Sequence, residues 1–227
     1  MIFNRIDHSY WIEDLYNQHF NDVHGNFKTN GFFVEIGVGN IISYKGLIEG
    51  VAFDENTPYV LECSNTSELL IMGWNGIYIE PVSEFIKQCE IVYTKEKCID
   101  RLKLINLAAS DTNETCHIGD GESLINANYT PRISTQQAKL YLGRDIQSKR
   151  TTDILLEAKC PSHIDVMSID VEGYEAKVVR GIDFNIFQPQ LIIIETNKVS
   201  RDVISKLLPS NYQYANSDDL NTAYKKI

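Results

Sequence analysis

No stretch of this sequence approaches the roughly 18 consecutive apolar residues that a membrane-spanning helix requires. Its opening residues, MIFNRIDHSYWIEDLY, carry charges where a secretory leader has its apolar core. The 5 cysteines (Cys63, Cys89, Cys98, Cys116 and Cys160) are odd in number, scattered and never in C-x-x-C spacing. That pattern speaks against a disulfide framework or a zinc ribbon and for reduced, buried thiols. The 5 histidines show no H-x-x-x-H spacing either. Basic charge is scarce, with 21 Lys and Arg against 31 Asp and Glu, a net charge of −10. A nucleic-acid surface is therefore not expected, because phosphate binding draws on clustered Lys and Arg. Internal repeats, low-complexity tracts and Pro/Gly/Ser-rich linkers are absent. The expectation is a soluble, cytoplasmic protein with no membrane or nucleic-acid partner.

What is present is the composition of an ordinary globular chain: 227 residues, 43% hydrophobic and 23% charged. A chain of this length can bury roughly 70–75% of its unfolded surface in one domain. Residues from about Ile6 to Phe20 place Trp11, Leu15 and His19 on one helical face, which predicts a docking helix within an N-terminal extension, 1–30. From residue 31 to 227, strands and helices alternate. Strands are predicted at Phe32–Ile36, Gly76–Glu80, Leu102–Ala108, Ile164–Asp170 and Pro189–Glu195, and Tyr212–Ala215 can pair with Thr222–Ile227 as a closing hairpin. Helices are predicted after Ser64-Asn65-Thr66, through Phe85 and Ile86, and over Thr152–Ala158, Gly173–Arg180 and Val199–Leu208. This alternation implies a mostly parallel sheet covered on both faces. Two segments break the rhythm, an insertion at about 41–63 and a variable segment at about 119–150. Long irregular segments in such domains are commonly lids or binding loops, so both are expected to carry acceptor specificity. Lys139, Arg144, Lys149 and Arg150 form a local basic stretch, either a solvated helix face or a clamp for a diphosphate.

In an open parallel sheet, ligands bind beyond the carboxyl ends of the strands, where strand order reverses. The first such end reads Glu35-Ile36-Gly37-Val38-Gly39-Asn40, and glycine there permits positive φ and close approach of backbone to a ligand. The second strand ends in Glu80, where a carboxylate can accept both hydroxyls of a ribose. A dinucleotide site would show G-x-G-x-x-G, whereas this chain reads G-V-G-N-I-I and lacks the third glycine. S-adenosyl-L-methionine carries an ammonium and a sulfonium and no phosphate, so an acid at Glu35 suits it better.

The chain from Gly31 onward resembles the FkbM-type methyltransferases. The matching blocks are FVEIGVG at 33–39, SNTSELL at 64–70, GWNGIYIEP at 73–81, NLAASD at 106–111, IDVMSIDVEGYE at 164–175, VVRGIDF at 178–184 and PQLIIIE at 189–195. The resemblance implies a Rossmann-like class I methyltransferase fold with a mostly parallel seven-stranded sheet. It also implies S-adenosylmethionine-dependent O-methylation, commonly of sugars, glycans or polyketide-derived products. By that analogy Glu35, Gly37, Gly39, Ser64, Asn65, Glu80, Ala109, Ser110 and Asp170 hold the cofactor. Ser64 and Asn65 would meet its amino-acid end and Ala109 and Ser110 its adenine, although Ser64 and Asn65 also suit a helix cap.

Methyl transfer from a sulfonium is an in-line displacement, and a sugar hydroxyl needs a base or a metal to help remove its proton. Asp170 and Glu172 stand at the end of the fourth strand as catalytic candidates, Glu172 on the acceptor side by analogy. Glu172 could instead cap the following helix. Glu195 and Asn197 end the fifth strand with oxygen donors that a magnesium ion would accept, but a metal-free base mechanism is favoured. The acceptor is expected to be a small molecule or glycan. Two other classes share parts of the pattern: a nicotinamide-dependent oxidoreductase and a non-catalytic Rossmann-like binding module.

Overall fold

A computed structural model describes residues 10–43, 53–61, 64–118 and 144–227. In chain order the elements are α1 (Tyr10–Phe20), β1 (Phe32–Ile36), β2 (Ile42–Ser43), β3 (Val60–Leu61), α2 (Ser67–Ile71), β4 (Asn75–Ile79), α3 (Ser83–Lys95), β5 (Leu102–Ile105), β6 (Ala108–Ser110), β7 (Glu114–Ile118), β8 (Arg144–Arg150) and α4 (Thr151–Glu157). They continue with β9 (His163–Ile169), α5 (Glu175–Arg180), β10 (Gln188–Glu195), α6 (Arg201–Leu207), β11 (Tyr212–Ser217) and β12 (Asn221–Lys226). Among the described residues, no helix is long and apolar enough to cross a membrane.

The 7-stranded sheet has the order β11-β12-β10-β9-β1-β4-β5. Its five inner and distal strands β10, β9, β1, β4 and β5 run parallel, and the β11/β12 hairpin adds antiparallel pairs at one edge. Parallel strands are buried on both faces and read as continuous apolar runs, which is what FFVEI and LIIIE supply. Alternate residues of each strand serve opposite faces. Phe33, Tyr78, Val166 and Ile193 pack with Ile12, Tyr16, Leu69 and Val92 from α1, α2 and α3. Val34, Ile79, Met167 and Ile192 pack with Ile154, Val178 and Ile204 from α4, α5 and α6. Helices thus cover both faces, as the alternation required.

The third strand and the end of the 119–150 segment differ from the expectation. The third strand stops at Ile105, where Asn106 turns to donate its side-chain amide to the carbonyls of Glu80 and Pro81, both at 2.9 Å. Ala108–Ser110 then joins a separate 3-stranded sheet of order β6-β8-β7. The end of the expected 119–150 segment is not irregular: Arg144–Arg150 is a strand, parallel to β6 and antiparallel to β7. Its basic residues therefore do not lie on a helix. Ser148, within β8, is buried and donates to the Glu114 carbonyl, while Lys149 pairs with Glu157 and Arg150 with Asp153. Residues 119–143, including Lys139, lie outside the described residues, as do the first helical positions from Ile6. Within the 41–63 insertion, Ile41 and Ile42 are fully buried, and Tyr59 donates to Glu96 at the end of α3 at 2.8 Å. Phe53 meets Tyr59 edge-on, and the Lys95 ammonium lies over both rings. Residues 44–52 and 62–63 of that insertion lie outside the described residues.

Candidate active site at the strand ends

Strand order reverses between β1 and β9: from β1 the chain adds β4 and β5 on one side, then returns to place β9 on the other. The crevice at the carboxyl ends of these two strands is the position where ligands bind in such sheets. Gly37 lies there with φ +81, and its N–H donates to the Ile79 carbonyl at 2.9 Å. A Cβ on Gly37 would stand 1.7 Å from the Asp170 carbonyl oxygen. The first glycine is thus demanded by the chain itself, because the turn after β1 and the end of β9 occupy the same narrow space. Gly39, with φ +62, has open space where its Cβ would point. Its N–H donates to Glu80 Oε2 at 2.9 Å, and the Val82 N–H donates to Glu80 Oε1 at 2.8 Å. The carboxylate at the end of β4 therefore fastens the glycine turn to the start of α3.

Glu80 is only 4% exposed, and burial pushes its carboxyl up to about 7 against the pull of these backbone donors. A carboxylate offers about four acceptor positions, so two backbone N–H groups leave room for two more donors. Next to the turn, Asn40 donates its amide to the Ile42 carbonyl, while its buried Oδ1 has no hydrogen-bond partner.

Glu35 sits deeper, at 3% exposure. Its oxygens accept from Ser64 Oγ at 2.7 Å, the Asn65 N–H at 3.0 Å and Thr66 Oγ1 at 2.5 Å. Ser64 Oγ and the Tyr78 hydroxyl share a hydrogen bond, Tyr78 continues to Tyr93, and Tyr93 to Ser67. Asn65 donates its side-chain amide to Ser168 Oγ at 3.0 Å. These groups form a buried polar network that holds the start of α2 onto β1 and β4. Tyr78 and Tyr93 belong to it and carry no motif that would single them out in the sequence. Burial drives the phenols of both far above the usual tyrosine range. Ala109 and Ser110 lie one strand beyond β5, buried in β6, where the Ser110 carbonyl accepts from Thr151 Oγ1. Asn106, unnoticed in the sequence, is the residue whose side chain reaches the end of β4.

At the ends of β9 and β10 the structure gathers Asp170, Glu175 and Glu195, whose ligating atoms all lie within 4.8 Å of one another. The sequence suggested Asp170, Glu172 and Glu195. Glu172 has φ +58 and an exposed side chain that pairs with Lys198. The turn through Gly173 swings Glu175 back beneath Asp170, fully buried, with Oε1 accepting from the N–H groups of Val171 at 3.1 Å and Gly173 at 2.9 Å. The final acid of D-V-E-G-Y-E was the available signal, missed because it falls inside a predicted helix. Burial raises the Asp170 and Glu175 carboxyls, and burial together with the charge of Asp170 pushes Glu195 up to about 9. Lys198 stands 3.8 Å from Glu195, its ammonium disfavoured by burial.

The model of the FkbM methyltransferase domain matches residues 46–214. That match begins just after the glycine turn, whereas the resemblance read from the motifs reaches back to Gly31. Among solved structures, the FkbM methyltransferase from Methylobacillus flagellatus KT superposes with a TM-score of 0.52 at 14% identity, covering 88% of this chain and 44% of that one. The present chain thus spans less than half of that neighbour. A methyltransferase from Geobacter sulfurreducens gives a TM-score of 0.45 at 11% identity over 98% of this chain and 80% of that one. M. capricolum TrmK in complex with S-adenosyl-homocysteine gives 0.42 at 9% identity over 96% and 69%. At 14% identity the likeness to the Methylobacillus structure speaks for the fold alone, a Rossmann-like class I methyltransferase. No curated protein matches the sequence.

Proposed function

The chain belongs to the FkbM methyltransferase family, and from that premise we propose that it is an S-adenosylmethionine-dependent O-methyltransferase acting on a sugar hydroxyl, in a nucleotide-sugar or a glycan. The carrying observation is the convergence of the Gly37–Gly39 turn, the Glu80 carboxylate and Asp170 at the strand-order reversal of the sheet. When bound, the cofactor supplies an electrophilic methyl group on a sulfonium. Glu80 has acceptor capacity left for the two ribose hydroxyls, and the open space beside Gly39 and the unpartnered Asn40 Oδ1 suit a polar ligand lying along the turn. Asp170 presents negative charge where a cationic group would lie, with the Glu195 carboxyl beside it where an acceptor hydroxyl must approach. Burial raises both carboxyls, and Glu195, pushed up to about 9, holds a proton near neutrality, which leaves Asp170 as the proton acceptor of the pair. The buried sheet holds these groups rigidly, and orientation of this kind can supply several kcal/mol of barrier reduction.

Two measurements test the reading. Calorimetry with S-adenosylhomocysteine should show one site per chain, and NAD should show none. A screen with methyl-labelled cofactor against nucleotide-sugars and free glycans should then give a labelled, base-stable ether. Absence of S-adenosylhomocysteine binding sinks the cofactor assignment; label found only on nitrogen or carbon acceptors sinks the O-methylation.

A further inference from the structure

The acids at the ends of β9 and β10 are not balanced by the groups around them. Glu175 is 0% exposed, and while its Oε1 holds two backbone N–H groups, its Oε2 has no hydrogen-bond partner. Glu195 is 9% exposed, with Oε1 accepting from Asn197 Nδ2 at 2.7 Å and Oε2 likewise without a hydrogen-bond partner. Lys198 Nζ is 3.8 Å from that second oxygen, beyond hydrogen-bond range, and also pairs with Glu172. Leaving a buried acceptor bare costs roughly 1–3 kcal/mol, more when it is charged. Two such oxygens converge here with Asp170 inside one 4.8 Å cluster. Asp170 and Glu195 lie within side-chain hydrogen-bond reach of each other, so one proton shared between them satisfies that pair and leaves Glu175 Oε2 bare. A hard cation satisfies all three carboxylates at once, because such ions take several oxygen ligands in a compact shell.

We propose that Asp170, Glu175 and Glu195 form a binding site for a hard divalent cation, Mg²⁺ or Mn²⁺. The sequence favoured a metal-free base because its candidate ligands were few, with no Asp-Asp pair, and because Asp170 was expected at the cofactor. In the structure Glu172 faces outward and Glu175 brings a buried carboxylate with a bare oxygen in its place. Three protein ligands leave an octahedral ion with open positions for water or an acceptor oxygen. That last link rests on the methyltransferase reading, whereas binding of the ion does not.

The test uses the full chain with Mn²⁺ as probe, followed by the loss of the free-ion electron paramagnetic resonance signal, with S-adenosylhomocysteine calorimetry run in parallel. One Mn²⁺ per chain, displaced by Mg²⁺, is expected. Glu175→Gln and Glu195→Gln should each weaken it by about tenfold or more. Glutamine keeps a carbonyl oxygen for the Val171 and Gly173 N–H groups, and thermal melts verify folding. If either variant fails to fold, Mn²⁺ added to the isotope-labelled natural sequence decides instead: selective broadening of the Val171, Gly173 and Asn197 amide signals supports the site, and broadening elsewhere overturns it. A chain that takes up no Mn²⁺ at millimolar concentration, or folded variants that bind as tightly as the parent, also overturn it. Mn²⁺ binding without S-adenosylhomocysteine binding removes the functional reading and leaves the cation site standing.

Discussion

Glu80 shows how one side chain can couple fold and ligand. Its position at the end of the second strand was legible from I-E-P following an apolar run, but its burial was not, since the glycine turn that covers it comes from a different strand. In the folded chain the carboxyl is pushed up to about 7, against an ordinary value of 4.5. Between those two values the folded state holds a proton that the unfolded state has released, so stability falls as pH rises. The contribution is complete below 4.5 and lost as pH rises through about 7, on the order of 3 kcal/mol for a group this buried. Ligand binding should run the other way, because only the ionised carboxylate accepts fully from two ribose hydroxyls. With half-ionisation at about 7, S-adenosylhomocysteine affinity should rise by about tenfold from pH 6 to pH 8. Isothermal titration at three pH values checks this, with Glu80→Gln expected to bind weakly and without the pH slope. A slope that persists in Glu80→Gln would assign the titration to another acid.

At the scale of elements, periodicity revealed what packing controls and missed what hydrogen bonding controls. The strands β1, β4, β9 and β10 are buried on both faces, so their apolar runs announce them. The polar strands β7 (ETCHI) and β8 (RDIQSKR) carry no such run and are held by pairing with each other and with β6. The start of α2 was legible because Ser64-Asn65-Thr66 suggested a cap. Ser64 Oγ does accept from the N–H groups of Thr66 at 3.2 Å and Ser67 at 3.0 Å, although Thr66 makes no side-chain cap. The segment is fixed by Glu35, reached across 29 residues by Ser64 and across 31 by Thr66. Removing that acceptor takes away the bonds from Ser64 Oγ, the Asn65 N–H and Thr66 Oγ1, leaving the Tyr78 hydroxyl as the acceptor for the two hydroxyls, and each buried donor left bare costs about 1–3 kcal/mol. Glu35→Ala should therefore destabilise the chain by about 3 kcal/mol or more, with Glu35→Gln intermediate, read from urea midpoints. An unchanged midpoint for Glu35→Ala would show that the network is not what holds α2 in place.

For the whole molecule, the order of elements was enough to anticipate a parallel sheet and the crevice beside β1, because right-handed crossover connections leave few arrangements. Asp170 and Glu195 were legible there as strand-end acids, but Glu175 was not, since its place depends on a turn at Gly173 whose direction no periodicity encodes. The same limit applies to α1, which reads in the sequence as an extension ahead of the main fold. In the structure Ile12, Leu15, Tyr16 and Phe20 are buried in one cluster with Phe33, Leu69 and Trp74. Trp11 Nε1 donates to Asp218 Oδ2 at 2.7 Å, and the Tyr16 hydroxyl to the Asn65 carbonyl at 2.9 Å, tying the helix both to the edge hairpin and to the loop before α2. Burying each of those four apolar side chains contributes roughly 1.5–3 kcal/mol. Their sum is comparable with the entire stability of a typical domain, about 5–15 kcal/mol. A chain shortened to begin after Phe20 should therefore lose its cooperative thermal transition and expose apolar surface to a hydrophobic dye. The shortened chain should also fail to bind S-adenosylhomocysteine, although α1 contributes no residue to the crevice. A truncated protein that melts cooperatively near the temperature of the full chain would instead make α1 an independent appendage.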